Sequence, residues 1–203
     1  LGANCIAFSG PDGYIYDPDG INTDEKVAYF LELRSSGKNI CAPYAEKFPN
    51  AKFVAGKKPW NVAEDFGVNV DLFIPCAMQN DVRMEDAENI VKSGAKFYCE
   101  GANMPCTLEA TEYLLEKGVL VAPAKAANCG GVMVSGFEMS QNSMHLSWTF
   151  NEVDEKLKSN MENIFLSINK IAIEYNSPYN TVMGANILGF EKVAKAMMLA
   201  EIK

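Results

Sequence analysis

Four short segments of this 203-residue sequence combine small residues with side-chain amides, which suits the binding of a polar organic ligand. They are "SGPDG" (9–13), "PCAMQN" (75–80), "EGANMP" (100–105) and "APAKAANCGG" (122–131). Small residues let the backbone approach a ligand closely, and Asn or Gln offers a donor beside an acceptor for ribose hydroxyls and carboxamides. Because Gly, Pro and Asn are also common turn formers, one such segment alone would indicate only a loop.

Residue groups typical of other chemistries are missing from the sequence. His145 is the only histidine and has no metal-binding or hydrolase motif around it, so a position on a helix surface is expected. Glu100 ends a predicted strand and Asp71 lies near the start of one, but their spacing does not support a catalytic carboxylate pair. Lys125 could contact a substrate anion, although a solvated lysine is commoner. Six cysteines form no C-x-x-C pair, which favours buried free thiols and no metal site: Cys5, Cys41, Cys76, Cys99, Cys106 and Cys129.

The pattern along the chain alternates between strands and helices, which decides where the four segments lie. A run of apolar residues over 70–75 ends at a proline and predicts a strand buried on both faces. Helices are predicted to begin after Thr23 and Thr107, both suitable N-caps. Beyond Pro123 the pattern is helical, with apolar residues at steps of three and four. The other predicted strands are 4–8, 51–56, 95–101 and 119–123, and the last helices are 152–175 and about 184–200.

Two successive β-α-β units with short connections imply parallel strands and right-handed crossovers. The sequence therefore predicts an α/β protein: a truncated Rossmann-like doubly wound parallel sheet followed by a helical C-terminal section. Residues 1–124 would form an incomplete dinucleotide-binding domain, and residues 125–203 a helical hinge and C-terminal helices. In such sheets ligands bind outside the carboxyl ends of the strands. We expect all four segments along that edge, where together they predict a cofactor crevice.

The phosphate-binding loop of such a sheet is absent from the sequence. That loop has the pattern G-x-G-x-x-G and follows the first strand, but the pattern occurs nowhere in this chain. "NCIAFSG" resembles the second strand instead, and "LGA" resembles the end of the helix before it. We therefore expect the chain to be a fragment whose first β-α unit lies upstream of Leu1.

Charge and composition exclude several classes of partner. The net charge of −8, with no block of basic residues, makes nucleic acid and anionic membranes poor partners. No apolar run approaches the roughly 18 residues that a membrane span needs, and the N-terminus lacks the pattern of a signal peptide. Free cysteines favour a reduced compartment, so a cytoplasmic location is expected.

Longer stretches that include the four segments resemble the hexameric glutamate dehydrogenase family. The resemblance is distributed over nearly the whole chain and follows the family's order. It is carried by "SGPDGYIYDPDGI" (9–21), "KKPW" (57–60), "PCAMQND" (75–81), "EGANMP" (100–105), "APAKAANCGGVMVSGFEMSQNSMHLSW" (122–148) and "GANILGFEKVAKAMM" (184–198).

The resemblance implies oxidative deamination of L-glutamate to 2-oxoglutarate and ammonia, with NAD or NADP as hydride acceptor, in a homo-hexamer. It implies that Ser135 donates a hydrogen bond to the side-chain carboxylate of glutamate and that Val132 packs beside it. The cofactor would be contacted by Ser9, Ala77, Met78 and Asn103. In that family the N-terminal domain supplies the catalytic lysines and aspartate, so no catalytic residue is expected in this fragment.

Departures from the family pattern and two alternatives remain. Met78 stands where the family usually has Thr, and Ala124 where Gly is common. The acid expected at the end of the second strand is displaced into the turn as Asp12, which leaves the choice between NAD and NADP open. A leucine, valine or phenylalanine dehydrogenase would share this cofactor half, but Ser135 argues against the apolar pocket of such an enzyme. The other alternative is a non-catalytic binding fragment.

Overall fold

A computed structural model of the chain describes residues 2–37 and 39–200, so part of the "LGA" segment lies outside the described residues. The chain divides into two compact units, one ending at Val70 and the other beginning at Asp71. Each unit has a three-stranded sheet of its own, and the two sheets differ in strand direction.

The unit that ends at Val70 contains an antiparallel sheet with strand order β1-β2-β3. A tight turn at Pro11 and Asp12 joins β1 to β2, and Gly10 pairs with Gly13 across it. Gly13 has a φ of +151°, and a Cβ there would collide with the carbonyl of Val54, so only glycine fits. The strands are β1 (Ala7–Gly10), β2 (Gly13–Tyr16) and β3 (Lys52–Ala55).

The structure differs from the sequence analysis at two points in this unit. The strand predicted over 4–8 begins at Ala7 and pairs with an antiparallel neighbour rather than a parallel one. β2 was not predicted, although Pro-Asp-Gly between two apolar runs is a typical hairpin signal. The turn reverses the chain within two residues, so the following segment pairs directly with β1 instead of crossing over a helix.

Helices and aromatic rings complete this unit. Thr23 caps the first helix as predicted, because its side chain accepts a hydrogen bond from the amide of Lys26. Tyr44 is fully buried and lies within 5.6 Å, between ring centroids, of Phe8, Phe30 and Phe48. The elements are α1 (Asp24–Ser35), α2 (Ala42–Lys47), a 3₁₀ turn (Pro59–Asn61) and α3 (Val62–Phe66).

The unit that begins at Asp71 contains a parallel sheet with strand order β4-β5-β6, which confirms the parallel strands predicted from the β-α-β pattern. Thr107 caps α5 as predicted. Phe73, Tyr98 and Val121 are buried on one face of the sheet. The elements are β4 (Leu72–Phe73), α4 (Met84–Lys92), β5 (Phe97–Cys99), α5 (Leu108–Glu116) and β6 (Leu120–Ala122).

The other face of this parallel sheet is open. Leu72 is 40% exposed, Ile74 54% and Phe97 47%, so the predicted burial of segment 70–75 on both faces is wrong for the chain as described. Successive residues of a strand point to opposite faces, and register places Leu72 opposite Phe97 on the same face. An apolar run therefore indicates a strand without showing which elements cover its two faces.

Four helices follow β6 in the part of the chain that the structure describes. A capping box between Thr149 and Glu152 begins α8. α9 begins where the Thr181 hydroxyl donates to the carbonyl of Val121 at the edge of the sheet. The helices are α6 (Ala124–Ala127), α7 (Cys129–Met144), α8 (Phe150–Glu174) and α9 (Thr181–Leu199). Within residues 2–37 and 39–200, no helix is both long and apolar enough to cross a bilayer.

Candidate functional site

Backbone hydrogen bonds connect the loop after β4 to the loop after β5. The carbonyl of Pro75 accepts from the amides of Gly101 (3.0 Å) and Ala102 (2.9 Å), and the amide of Asn80 donates to Met104 at 3.0 Å. A Cβ on Gly101 would lie 2.5 Å from the Cys76 sulfur, so glycine permits this close approach. Two of the four predicted segments therefore lie side by side at the carboxyl edge of the parallel sheet.

Glu100 connects the loop after β5 to the loop after β6. The residue is buried, 7% exposed, and its Oε2 accepts a hydrogen bond of 2.7 Å from the amide of Ala124. Burial raises the pKa of Glu100, and hydrogen bonds from the amides of Ala124 and Cys106 oppose that rise only in part. The residue acts as a buried clamp between two strand ends, a role that its position in the sequence did not reveal.

A second link between these loops lies at the surface. The Nδ2 of Asn128, which lies between α6 and α7, donates a hydrogen bond of 2.6 Å to the Oδ1 of Asn103. Met104, next to Asn103, has a φ of +47°, a conformation that side chains other than glycine rarely adopt. Three of the four predicted segments therefore meet at one edge of this sheet.

The residues predicted to contact the cofactor in this unit are all exposed there. Ala77 and Met78 follow β4, with Met78 63% exposed, and Asn103 follows β5. The surface they share carries small residues, amides and a thioether. Such a surface can donate and accept hydrogen bonds while leaving room for a planar ring.

The fourth segment belongs to the other unit. Ser9 is exposed in β1, where it pairs with Tyr14 across the hairpin. The Asp12 carboxylate accepts hydrogen bonds from the amides of Cys41 (3.0 Å) and Ala42 (2.9 Å). Burial alone would raise the pKa of Asp12, but these amides outweigh it and lower the pKa. Burial and the Asp12 hydrogen bond raise the pKa of the Cys41 thiol to about 12. Asp12 therefore holds the start of α2 in place.

The two predicted substrate residues lie on α7. Val132 is 72% exposed, and Ser135 is exposed one turn further along, so both side chains face solvent on the same side of the helix. The Ser135 hydroxyl donates to the carbonyl of Gly131 at 3.3 Å. That bond to the preceding turn is common for a helical serine and does not occupy the lone pairs of its oxygen.

The remaining candidates take structural positions. Lys125 donates a hydrogen bond to the Oδ1 of Asn186, which links α6 to α9. His145 ends α7 in the left-handed conformation, with a φ of 55°. All six cysteines are free thiols. In the part of the chain that the structure describes, no group of three or more His, Cys, Asp or Glu residues could hold a metal ion.

Parallel strands whose carboxyl ends present small residues and amides define an α/β protein with a candidate ligand site at its sheet edge. Comparison with known sequences makes the class specific. The profile of the Glutamate/Leucine/Phenylalanine/Valine dehydrogenase family matches residues 1–200, so the chain belongs to this family.

Relatives within the family include enzymes of both cofactor types. The chain is 53% identical over 199 residues to the NAD-specific glutamate dehydrogenase of Clostridium symbiosum. It is 46% identical over 198 residues to the NADP-specific glutamate dehydrogenase of Giardia intestinalis. In both comparisons the match covers 98% of this chain but 43% of the relative. The chain thus spans less than half the length of these relatives.

Solved structures of glutamate dehydrogenases are also similar to this chain over part of their length. A glutamate dehydrogenase structure matches with a TM-score of 0.90 and 52% identity, over 98% of this chain and 43% of that one. The Plasmodium falciparum glutamate dehydrogenase matches with a TM-score of 0.88 and 38% identity, over 97% of this chain and 41% of that one.

Proposed function

We propose that this chain is the cofactor-binding half of an NAD(P)-dependent glutamate dehydrogenase. The reaction converts L-glutamate, NAD(P)⁺ and water into 2-oxoglutarate, ammonium, NAD(P)H and a proton. The observation that carries the proposal is identity of 53% over 98% of the chain to an enzyme named for this activity. The site at the sheet edge supports it, because its exposed amides and small residues suit a nucleotide cofactor.

On the substrate side, we assign Ser135 and Val132 to glutamate. The Ser135 hydroxyl can turn from the Gly131 carbonyl toward a carboxylate. A charge-assisted hydrogen bond to that carboxylate would then select an amino acid with the side-chain length of glutamate. Val132, one turn away and exposed, would pack against the methylene groups of glutamate.

On the cofactor side, we assign Ala77, Met78, Asn103 and, by resemblance, Ser9. When bound, NAD(P)⁺ supplies a hydride acceptor for the substrate Cα. The exposed edge after β4 and β5 fits the nicotinamide half, because Ala77 leaves space and the Asn103 amide can hold a hydroxyl or carboxamide. We assign no catalytic acid or base to these residues, and the family resemblance suggests that a separate domain provides both.

Several finer features belong to the same proposal. Relatives carry NAD-specific, NADP-specific and NAD(P)-specific names, so either cofactor is consistent with the chain. We propose a homo-hexamer, a Rossmann-like doubly wound sheet in the intact enzyme, and a helical hinge and C-terminal section over residues 125–203. These rest on the family resemblance.

The test is substrate choice combined with one substitution. In the native full-length polypeptide, glutamate should be oxidised with a higher kcat/KM than leucine, valine or phenylalanine. Ser135→Ala should lower kcat/KM for glutamate by about 10- to 150-fold, the equivalent of one charge-assisted hydrogen bond. Preference for an apolar amino acid would favour the other activities of the family.

The matched control is Ser167→Ala on α8. The Ser167 hydroxyl donates to the carbonyl of Asn163 at 2.7 Å, the same bond to the preceding turn that Ser135 makes. If both substitutions left kcat/KM unchanged, Ser135 would be an ordinary helical serine and its assignment would fail.

A further inference from the structure

We infer that Asn128 is a positioning residue that fixes the orientation of the Asn103 amide, so that Asn103 presents its Nδ2 donor to the nicotinamide half of the cofactor. The inference rests on the proposed function and deepens it, because it adds a residue that the sequence did not assign. It concerns the hydrogen bond between the two side chains and not a new ligand.

The hydrogen bond itself sets the orientation. An asparagine amide has an acceptor side and a donor side, and rotation by half a turn about its last bond exchanges them. Asn128 donates to Oδ1 of Asn103 at 2.6 Å, which places the Asn103 oxygen toward α7. The Asn103 nitrogen then points the other way, and among the residues that the structure describes no acceptor pairs with it. Asn103 is exposed, so that nitrogen can reach a ligand.

Asn128 is held more firmly than the residue it orients. Its backbone amide donates to Ala124 at 3.0 Å and its carbonyl accepts from Gly131 at 3.3 Å, so it is fixed at the boundary of two helices. Asn103 lies on a loop, beside the left-handed Met104. A side chain on helical backbone therefore orients one on a loop, which is the usual way that a binding group is preorganised.

The buried clamp below this pair keeps the two loops at a fixed separation. Glu100 and Ala124 are joined at 2.7 Å at the base of the loops that carry Asn103 and Asn128. The surface hydrogen bond therefore does not need to hold the loops together. Its expected effect is on amide direction, which predicts a loss of ligand affinity without a comparable loss of stability.

The complementary chemistry on the ligand is an oxygen that accepts a hydrogen bond. The carboxamide oxygen of nicotinamide and the hydroxyls of its ribose both qualify, and neither is present in the adenosine half. The Asn103–Asn128 pair should therefore distinguish the intact reduced cofactor from ADP, which lacks both the nicotinamide ring and its ribose.

Asn128→Asp tests this inference most directly. Its carboxylate cannot donate, so the Asn103 amide should rotate to donate toward it and turn its oxygen to the ligand. By calorimetric titration of the native full-length polypeptide, NADH should bind roughly 5- to 30-fold more weakly, the range for one lost hydrogen bond. The affinity for ADP should stay unchanged. NADPH and 2′-phospho-ADP serve as the equivalent pair if the enzyme prefers NADP.

Two further variants complete the design. Asn128→Ala removes the donor without adding charge and should give a smaller loss for NADH, because the Asn103 amide becomes free to rotate. Asn151→Asp makes the same chemical change on an exposed part of α8 and should alter neither affinity.

Three outcomes would overturn the inference. If wild-type protein binds NADH and both Asn128 variants bind it equally well, Asn128 does not orient Asn103. If NADH and ADP binding weaken together, Asn128 acts on the fold rather than on the amide. If the wild-type protein binds neither reduced cofactor, the proposed function fails, and the inference with it.

Discussion

Three carboxylates of one unit and the sheet-edge amides of the other use their polar atoms in opposite ways. In the unit that ends at Val70, the carboxylates of Asp12, Asp17 and Asp65 all bond to groups of the same unit. In the unit that begins at Asp71, Asn103 and the residues around it face solvent at the ends of parallel strands. Polar groups that are paired internally stabilise a fold, whereas exposed amides at strand ends remain available to a ligand.

The contrast separates residues that matter for stability from residues that matter for binding. It predicts that substitutions of internally paired carboxylates lower the free energy of unfolding. Substitutions of the exposed amides at the strand ends should leave it almost unchanged. Each unit contains one tryptophan, Trp60 and Trp148. Variants that keep only one of the two, made with Trp148→Phe or Trp60→Phe, therefore report the unfolding of each unit separately.

Asp17→Ala should have the largest effect. Asp17 is 1% exposed and accepts hydrogen bonds of 2.8 Å from both Lys26 and Tyr44. Removing the carboxylate leaves a largely buried lysine unpaired, which should lower the free energy of unfolding by about 3–5 kcal/mol. Urea denaturation followed by Trp60 fluorescence measures the change.

The control for Asp17→Ala is Glu191→Ala, which removes an exposed ion pair with Lys195 on α9. The expected change is below about 0.5 kcal/mol, because exposed pairs contribute little. Equal effects at the two sites would contradict the distinction between internal and exposed polar groups.

Gly184→Ala should cause the second largest loss of stability, and it tests packing in the unit that begins at Asp71. A Cβ at Gly184 would meet the carbonyl oxygen of Ile168, where α9 crosses α8. Relief of that collision requires the helices to separate, which should lower the free energy of unfolding by about 1–3 kcal/mol, measured through Trp148.

Gly189→Ala on the same helix is the matched control. A Cβ at Gly189 has no atom within 4 Å, so the substitution should stabilise α9 by up to about 1 kcal/mol through helix propensity alone. A loss of stability there, equal to that of Gly184→Ala, would show that the crossing is not tightly packed.

The two units should also respond to pH with opposite signs. The pKa of Asp12 lies below its usual 3.8, so its stabilising contribution is present above pH 3.8 and is lost as the pH falls through the lowered value. The pKa of Glu100 lies above its usual 4.5, so its folded state favours the proton. The stability it contributes is therefore present below pH 4.5 and is lost as the pH rises through the raised value.

Denaturation midpoints between about pH 3 and 7 measure these slopes. Asp12→Asn should reduce the loss of stability at acid pH that Trp60 fluorescence reports. Glu100→Gln should reduce the loss of stability with rising pH that Trp148 fluorescence reports. If each substitution changed the pH dependence of both fluorescence signals equally, neither carboxyl group would act on the stability of its own unit alone.

Val132→Ala should have the smallest effect on stability, below about 0.5 kcal/mol, because the side chain is exposed. The proposed contact with glutamate should nevertheless lower kcat/KM in the native full-length polypeptide by about 4- to 15-fold, from about 0.8 kcal/mol for each of the one or two carbon atoms that leave the contact. A change in stability without a change in kinetics would place Val132 in the fold rather than in the site.

Local signals in the sequence predicted local structure well. Thr23 and Thr107 were recognised as helix caps because their side chains accept hydrogen bonds within three residues. Parallel pairing was predicted because short connections through helices leave few other arrangements. The hairpin at Pro11 was missed because the apolar run before it was assigned to a crossover without considering the two-residue turn.

Burial and side-chain pairing were harder to predict from sequence. An apolar segment such as 70–75 does not show which element covers each face, and Ile74 is exposed where full burial was expected. The bonds of Glu100 to Ala124 and of Asn128 to Asn103 were not predicted, because their partners lie 24 and 25 residues away along the chain. Such pairs depend on the packing of separate loops, and only an amide or acid at a strand end hints at them.

The uncovered face of the parallel sheet has a practical consequence for anyone who produces this polypeptide. Leu72, Ile74 and Phe97 are exposed hydrophobic residues in or beside β4, an edge strand of only two residues, and its neighbour β5. So short an edge is a poor template for β-type fibres, so self-association through these residues would be amorphous rather than fibrillar. Charged residues at these three positions should therefore improve solubility during expression without touching the amides of the ligand site.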